Sequence, residues 1–396
     1  MSSTLQTIKS IALKAVNAVP VSSAVIGSPR RTLTASQLNP KTSQSEYITI
    51  RKAENLVERP PITIDKEIFF KYENFYHRTI PEQFILKLQN GRVWGRNGAI
   101  ITADDVFISD LSQEFGPAKF DIRKHSIWRR LKLKKPVEIA GKVAVIASPG
   151  GDVYAHWLCD IMPRLVLLKN QGLLEQMDKI VMSYGKLDWQ TETLDRLGID
   201  KTKIINTIDD PEFHLRAEAL YIPSYPNLHG TVNDWVCKAI RDIYIDDTLP
   251  SQKHGRLFIS RAKAKGRQLL NEEEVFAFLE KEYGFRKVFA EDYATPEKAR
   301  LFYDAECIIG PHGGGFTNLL FCSAGCKVVD IFPPSSADFT TYFWVLANAN
   351  QLAYAYLFGK GEMPTKEKDV ILRNQDIDVD LDRLKTLTNK LNLPKR

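Results

Sequence analysis

Apolar runs alternate with stretches of helical period along most of this chain. The run VAVIAS (143–148) is continuously apolar, as expected of a strand covered on both faces. A helical stretch over 153–171 follows, closed by Gly172, with Pro163 predicted to kink or break it. KIVMS (179–183) predicts the next strand and WQTETLDRLG (189–198) an amphipathic helix closed by glycine. ALYIP (219–223) predicts another strand and TVNDWVCKAIRDIY (231–244) another helix. Such alternation predicts an α/β fold built on a largely parallel sheet.

The polar stretch 246–256 interrupts the pattern, and a second alternating run follows. Strands are expected at 257–261, 287–290, 307–310 and 327–332. Helices are expected over 271–282, over 295–304 and after Gly315. Asn271 suits an N-cap, with three glutamates behind it, and Gly284 suits the C-terminal cap. Thr295 is placed to cap the helix that Pro296 opens. A helix over 340–351 is aromatic-rich, and the last helix is capped by Asp380. Upstream, FILKLQNGRVWG (84–95) predicts a hairpin turning at Asn90-Gly91, and 99–110 gives further short strands. Residues 20–62 show little periodicity. The expected division is an extension over 1–62, an α/β domain over 63–248 and a second α/β domain over 249–396.

Composition narrows the class. In 396 residues, 44% apolar and 26% charged exclude a disordered or fibrous chain. A net charge of +6 over this length is too mild to argue for nucleic acid. Five cysteines (Cys159, Cys237, Cys307, Cys322, Cys326), mostly in apolar runs, predict no disulfide framework and a reducing, cytoplasmic setting. No unbroken apolar stretch is long enough to span a bilayer. Residues 1–20 place apolar positions at helical spacing with Lys9 and Lys14 opposite. Two readings fit: a short amphipathic helix, or a peripheral anchor on the inner face of a membrane.

Three segments carry chemistry. In CIIGPHGGGFTNLLF (307–321) an apolar strand meets a glycine-rich turn that opens a helix. Glycines admit close backbone approach and a helix start offers free N–H groups, which suits a phosphate. Tight strand–helix packing also explains the glycines. The loop is neither G-x-G-x-x-G nor a P-loop, which argues against a nicotinamide-linked oxidoreductase. SRAKAKGRQ (260–268) gathers Arg261, Lys263, Lys265 and Arg267 beyond a strand end, as a solvated cationic loop or a diphosphate clamp. His156, Asp160 and Arg164 share one helical face, where an imidazole beside a carboxylate can deprotonate a hydroxyl. A helix-stabilising pair and two metal ligands are the other readings. The aspartates of DIDVDLD (376–382) imitate a metal-binding D-x-D, but they read more simply as an edge running into a capped helix.

These segments resemble glycosyltransferase family 61, the bacterial "capsular polysaccharide biosynthesis" type. The family's G-x-H-G-A-G-L-T-N reads here Gly310-Pro311-His312-Gly313-Gly314-Gly315-Phe316-Thr317-Asn318, and its H-W-x-x-D-x-x-P-R runs from His156 to Arg164. The likeness covers about 150–335. It implies a GT-B fold, two Rossmann-like domains facing across a cleft, and an inverting glycosyltransferase. The implied donor is a nucleotide sugar, usually UDP-linked, and the acceptor a glycan or glycolipid hydroxyl. No metal or other cofactor is implied. His156 and Asp160 are then the catalytic candidates, either of them the base. Arg261, Arg267 and residues His312 to Asn318 bind the donor diphosphate, with Arg164 and Asp330 as further site candidates. Gly314 replaces the usual alanine, Phe316 a leucine, and Asp330 the commoner glutamate, proposed to touch ribose. The alternative from another class is a non-catalytic nucleotide or glycan binder in a polysaccharide assembly complex.

Overall fold

The computed structural model describes residues 29, 31–38, 44–116, 121–130, 132–227, 231–246, 251, 255–334, 340–362 and 375–396. The expected helix or anchor over 1–20 lies outside the described residues. Among those described, no helix is long and apolar enough to cross a membrane.

The chain forms two compact units, and both are discontinuous in sequence. The first comprises residues 1–52 and 82–225, the second 53–81 and 226–396. The division thus falls at 225/226 rather than in the polar stretch 246–256. Strands β1 (Arg31–Leu33) and β2 (Ser45–Arg51) open the first unit. They correct the reading of 20–62 as a lead-in, because β1 pairs with β8 (Val106–Ile108) and β2 with β5 (Gln83–Gln89). Strands β3 (Glu54–Val57) and β4 (His77–Ile80), with the short helix α1 (Phe70–Glu73), belong to the second unit.

The expected hairpin at Asn90-Gly91 does not form. Strands β5 and β6 (Arg92–Trp94) both run antiparallel to β12 (His214–Pro223), in one continuous register from Gln89↔Ala219 to Arg92↔Arg216. Asn90, at φ 53°, donates its N–H to Glu218 O at 3.0 Å, and Ala217 N–H reaches Gly91 O at 3.1 Å. The left-handed residue therefore kinks a strand that the long β12 holds on course. Strand β7 (Ala99–Ile101) pairs with β6 and with β8, giving the short strands expected over 99–110.

The parallel part of this sheet has the spatial order β12, β9 (Val137–Val145), β10 (Lys179–Met182), β11 (Ile204–Asn206). Counted from β9, this is the 3-2-1-4 order of a doubly wound sheet read from the other edge, and its switch point lies between β9 and β12. After β9 come α2 (Tyr154–His156), a π-helical turn (Trp157–Ile161) and α3 (Met162–Asn170). The wider turn accommodates Pro163, which has no N–H to donate. Helix α4 (Asp188–Arg196) leads to β11. Buried residues including Leu86, Val143, Val145, Val181 and Leu220 form the core of this unit.

Helix α5 (Asp234–Tyr244) belongs to the second unit, where Arg241 donates to Cys322 O and Asn350 Oδ1. The sheet there is wholly parallel: β13 (Gly255–Ile259), β14 (Arg286–Val288), β15 (Ala305–Pro311), β16 (Lys327–Phe332) and β17 (Ala353–Phe358). Its order, β14-β13-β15-β16-β17, is the 2-1-3-4-5 doubly wound pattern, with the switch point between β13 and β15. Helices α6 (Glu272–Tyr283), α7 (Thr295–Tyr303), α8 (Thr340–Ala349) and α9 (Leu381–Lys390) complete it. Asn271 stands at the α6 start, but its Oδ1 accepts from Val379 N–H and its amide donates to Val379 O. Ala294, not Thr295, is the N-cap of α7, where Glu297 accepts the Ala294 N–H. Strand β17, which the sequence pattern does not announce, is flanked by a bridge to Ile62 from the 53–81 segment.

Candidate active-site elements of the two units

In the first unit the switch point carries the histidine. His156 lies after β9, and its Nδ1 is 2.7 Å from Asp160 Oδ2. Both side chains are about one-third or less exposed. The carboxylate accepts the Nδ1 proton, so Nε2 is the nitrogen free to act as a base. Gly150, at φ +73°, lies beneath the imidazole: a Cβ there would stand 2.7 Å from His156 Cδ2. Phe115, which the sequence did not single out, packs its ring centroid 5.2 Å from the imidazole.

Arg164 does not join this pair. It is 1% exposed, and its guanidinium donates to Pro223 O at 3.1 Å, Ile146 O at 3.0 Å, Ala147 O at 3.3 Å and Val145 O at 2.9 Å. It also lies 4.6 Å from the Tyr225 ring centroid. The reason is the π-turn: its extra residue rotates everything beyond Ile161 by roughly one helical position. Arg164 thus staples the ends of β9 and β12 from inside the unit.

In the second unit, the basic loop follows β13 and the glycine turn follows β15, on either side of the switch point. The four cations of the loop separate. Lys263 is exposed, paired with Asp292 at 2.6 Å, and Lys265 is exposed. Arg261 and Arg267 are half-buried, and neither makes an ion pair among the described residues. Among the described residues Arg261 donates to Gly266 O alone, at 3.0 Å from Nη2. Burial, and then the charge of Arg267, depress its guanidinium to about 10. Arg267 is likewise lowered by burial, and Asp330 opposes the shift. Arg267 also sits at φ 57°, a left-handed conformation costly for a side chain of its size.

Gly313 explains its own identity. A Cβ on it would stand 2.0 Å from Arg261 Nη1, so only glycine lets the guanidinium reach the loop. Gly314 is exposed with open space around it, and Gly315 is half-buried. The expected α-helix is instead a 3-10 helix, Gly314–Phe321. Asn318 Nδ2 donates to Gly315 O at 2.9 Å, engaging the carbonyl that an α-turn would give to Leu319. Phe316, Thr317 and Asn318 are buried and so line no open site, which corrects their assignment to the diphosphate. The Phe316 N–H is also committed, to Gly313 O at 2.9 Å, leaving Gly314 and Gly315 as the helix-start donors.

Asp330 is fully buried in β16, which excludes the ribose contact expected of it. Its Oδ2 accepts from His312 Nδ1 at 2.9 Å and Tyr354 Oη at 2.8 Å. Sequence reasoning missed Tyr354 because it missed β17. The aspartates of 376–382 serve the fold. Asp376 accepts from Gln268 N–H, Asp378 pairs with Lys360, Asp380 caps α9 and Asp382 pairs with Lys385.

Residues 154–329, from the His156 helix to β16, match the family model described as Glycosyltransferase 61. Over that span the chain is similar to glycosyltransferase family 61. The chain is 37% identical over 121 residues to the beta-1,2-xylosyltransferase XAX1 of Oryza sativa subsp. japonica, covering 30% of this chain and 21% of the relative. It is 28% identical over 106 residues to protein O-linked-mannose beta-1,4-N-acetylglucosaminyltransferase 2 of Bos taurus, covering 26% of this chain and 18% of the relative. The matches therefore span about a fifth of these curated relatives. Among solved structures, the iron-containing dodecameric glycosyltransferase TibC of enterotoxigenic E. coli aligns over 85% of this chain and 98% of its own. The TM-score is 0.31 at 13% identity, too loose a likeness to bear on the fold.

Proposed function

We propose that this chain is an inverting glycosyltransferase of the GT-B type, which moves a sugar from a UDP donor to a hydroxyl of a glycan or glycolipid acceptor. One observation carries the reading. Arg261 and Arg267, two half-buried guanidiniums without carboxylate partners among the described residues, stand at the switch point of a doubly wound sheet, with Gly313 cleared for one of them. Buried cations without partners are costly, and a diphosphate supplies the missing charge. The family 61 match supports a sugar nucleotide as the source of that diphosphate.

Each unit, taken by itself, carries one of the two sets of groups that the proposed reaction needs. In the first, His156 Nε2 takes the proton of the acceptor hydroxyl while Asp160 holds the imidazole by Nδ1. The hydroxyl oxygen attacks the anomeric carbon opposite the leaving group, and one displacement inverts the configuration. In the second unit, Arg261, Arg267 and the N–H groups of Gly314 and Gly315 stabilise the charge that grows on the departing diphosphate. Fixed protein cations then do what a divalent metal does elsewhere, so no metal is required. The His156–Asp160 pair favours an enzyme over a non-catalytic binder, which has no use for a positioned base.

The test is UDP release from a panel of UDP sugars, beginning with UDP-xylose and UDP-N-acetylglucosamine because the two relatives are named for those transfers. Acceptor-dependent release from at least one donor is expected. Titration with UDP showing no binding, together with no release from any donor, refutes the reading.

A further inference from the structure

Charge is not spread evenly along this chain. Residues 121–135, DIRKHSIWRRLKLKK, hold seven of its 54 lysines and arginines and one of its 48 acidic residues. The net +6 of this short segment equals that of the whole chain, so the remainder is neutral. Burial holds the His125 imidazole down, so it adds no charge to the segment.

The first unit turns this charge outward. Two 3-10 turns, Ile122–Lys124 and Ser126–Arg129, are tied together by Trp128 Nε1, which donates to Ile122 O at 2.9 Å. Ile127 and Leu133 are buried with Trp94 of β6, Ile101 of β7 and Phe107 of β8, and the Trp128 ring lies 5.1 Å from that of Phe107. With its apolar positions set against the sheet, the segment leaves its cations on the solvent side. Nearby carboxylates answer three of them: Asp121 pairs with Arg123 at 2.8 Å, Glu212 with Arg130 at 2.7 Å, and Asp210 lies 3.8 Å from Lys134. Glu114 is engaged by the Ser126 N–H. The side chains of Lys124, Arg129, Lys132 and Lys135 are exposed and make no hydrogen bond or ion pair among the described residues. Val137, 62% exposed, adds an apolar side chain two residues beyond Lys135.

A discrete anion is gripped by cations that the fold holds still, whereas these four are long, unbonded side chains spread over about a dozen residues. That arrangement suits a fluid layer of separate charges. Trp128 packs on Phe107, so the segment offers no ring on which a nucleic-acid base could stack. We propose that the cations of residues 121–135 form a docking surface for a lipid bilayer rich in anionic headgroups, with Val137 entering the headgroup layer beside Lys135. The inference is independent of the diphosphate reading, whose failure leaves it standing.

The experiment sediments the full chain with vesicles of phosphatidylcholine alone or mixed with phosphatidylglycerol. Binding to the mixed vesicles only is expected, and it weakens as sodium chloride rises because exposed charges are screened. Each cation near such a surface is worth about fivefold in affinity. A chain carrying Lys124→Gln, Arg129→Gln, Lys132→Gln and Lys135→Gln is therefore expected to bind on the order of 10²- to 10³-fold more weakly, at a melting temperature close to the parent's. Neutralising four exposed lysines elsewhere, Lys52, Lys66, Lys186 and Lys281, gives the same net charge and is expected to leave binding near parental. Lys135→Glu alone, expected to weaken binding roughly 25-fold, decides the matter should the fourfold variant not fold. Three results overturn the proposal: a parent that ignores the mixed vesicles, a folded fourfold variant that binds them as the parent does, or equal losses in the two fourfold sets. Binding to heparin with none to vesicles also overturns it and makes the segment a surface for an acidic polysaccharide.

Discussion

Replacing Arg164 with methionine tests whether this arginine holds the fold or serves the site. Its guanidinium donates to four carbonyls, those of Val145, Ile146, Ala147 and Pro223, at 2.9 to 3.3 Å. Met keeps much of the stem's volume but leaves all four acceptors without this donor. A hydrogen bond from a charged donor nets about 1.5–3 kcal/mol, and the four are not additive. Breaking a buried charged network typically costs about 3–5 kcal/mol, and we expect that loss here. For a unit of this size, each kcal/mol lowers the melting temperature by about 2–4 °C, so a fall of roughly 6–20 °C follows. Scanning calorimetry measures it. Arg164→Lys recovers little, because one ammonium cannot serve four acceptors in a planar fork. UDP affinity should hold at temperatures where the variant is folded. A melting temperature unchanged in Arg164→Met, with transfer abolished, refutes the staple and returns Arg164 to the site.

Four further outcomes are expected. Arg261→Ala lowers catalytic efficiency by a factor corresponding to about 2–4 kcal/mol with little change in melting temperature, and Gly313→Ala, whose Cβ displaces the same guanidinium, behaves alike and non-additively with it. Transfer survives EDTA, and turnover lost to chelator and restored by manganese counts against Arg261 and Arg267 as the diphosphate's counter-charge. Burial holds His214 down to about 4 from 6.5, so the unfolded chain binds more protons in that window. Stability therefore falls as pH drops from 6.5 towards 4, by up to about 1.4 kcal/mol per pH unit, and His214→Gln flattens that slope in urea titrations. Finally, His156→Ala and Asp160→Asn each reduce transfer about 10²- to 10⁴-fold with UDP affinity retained, and parental transfer by a folded Asp160→Asn chain removes Asp160 from the mechanism.

What was legible in the sequence follows from how local each signal is. VAVIAS, KIVMS and CIIG announce buried parallel strands because their apolar runs are continuous, and all three lie at or next to a strand of the sheets. The Asn90-Gly91 signal is equally local but misleads, since β12 supplies pairing from more than a hundred residues away. Strand β17 hides behind an aromatic helix, and its alternation of alanine and tyrosine gives little apolar contrast. At the sites, the His156–Asp160 spacing is readable because four residues make one turn before the π-insertion acts. Arg164 lies beyond it, so its face was misjudged. The inward turn of Phe316, Thr317 and Asn318 depends on a 3-10 ladder that a glycine-rich sequence does not announce.

Arg164, Arg261 and Arg267 show why burial alone is a poor guide to function. Burial would rank Arg164 first, as it is the least exposed of the three. Yet every nitrogen of its guanidinium has a carbonyl to serve, so a ligand has nothing to offer it. Among the described residues Arg261 has one carbonyl partner, and Arg267 leaves its buried Nε without any. The two repel each other across a loop that a left-handed Arg267 and a Cβ-free Gly313 hold in place. A fold gains nothing from two such cations unless something anionic comes to them, whereas it gains a staple from Arg164. The deficit of partners, read together with a strand order that opens between β13 and β15, is what the proposed diphosphate site rests on. The same deficit appears with opposite sign in Asp330, whose buried Oδ1 has no hydrogen-bond partner.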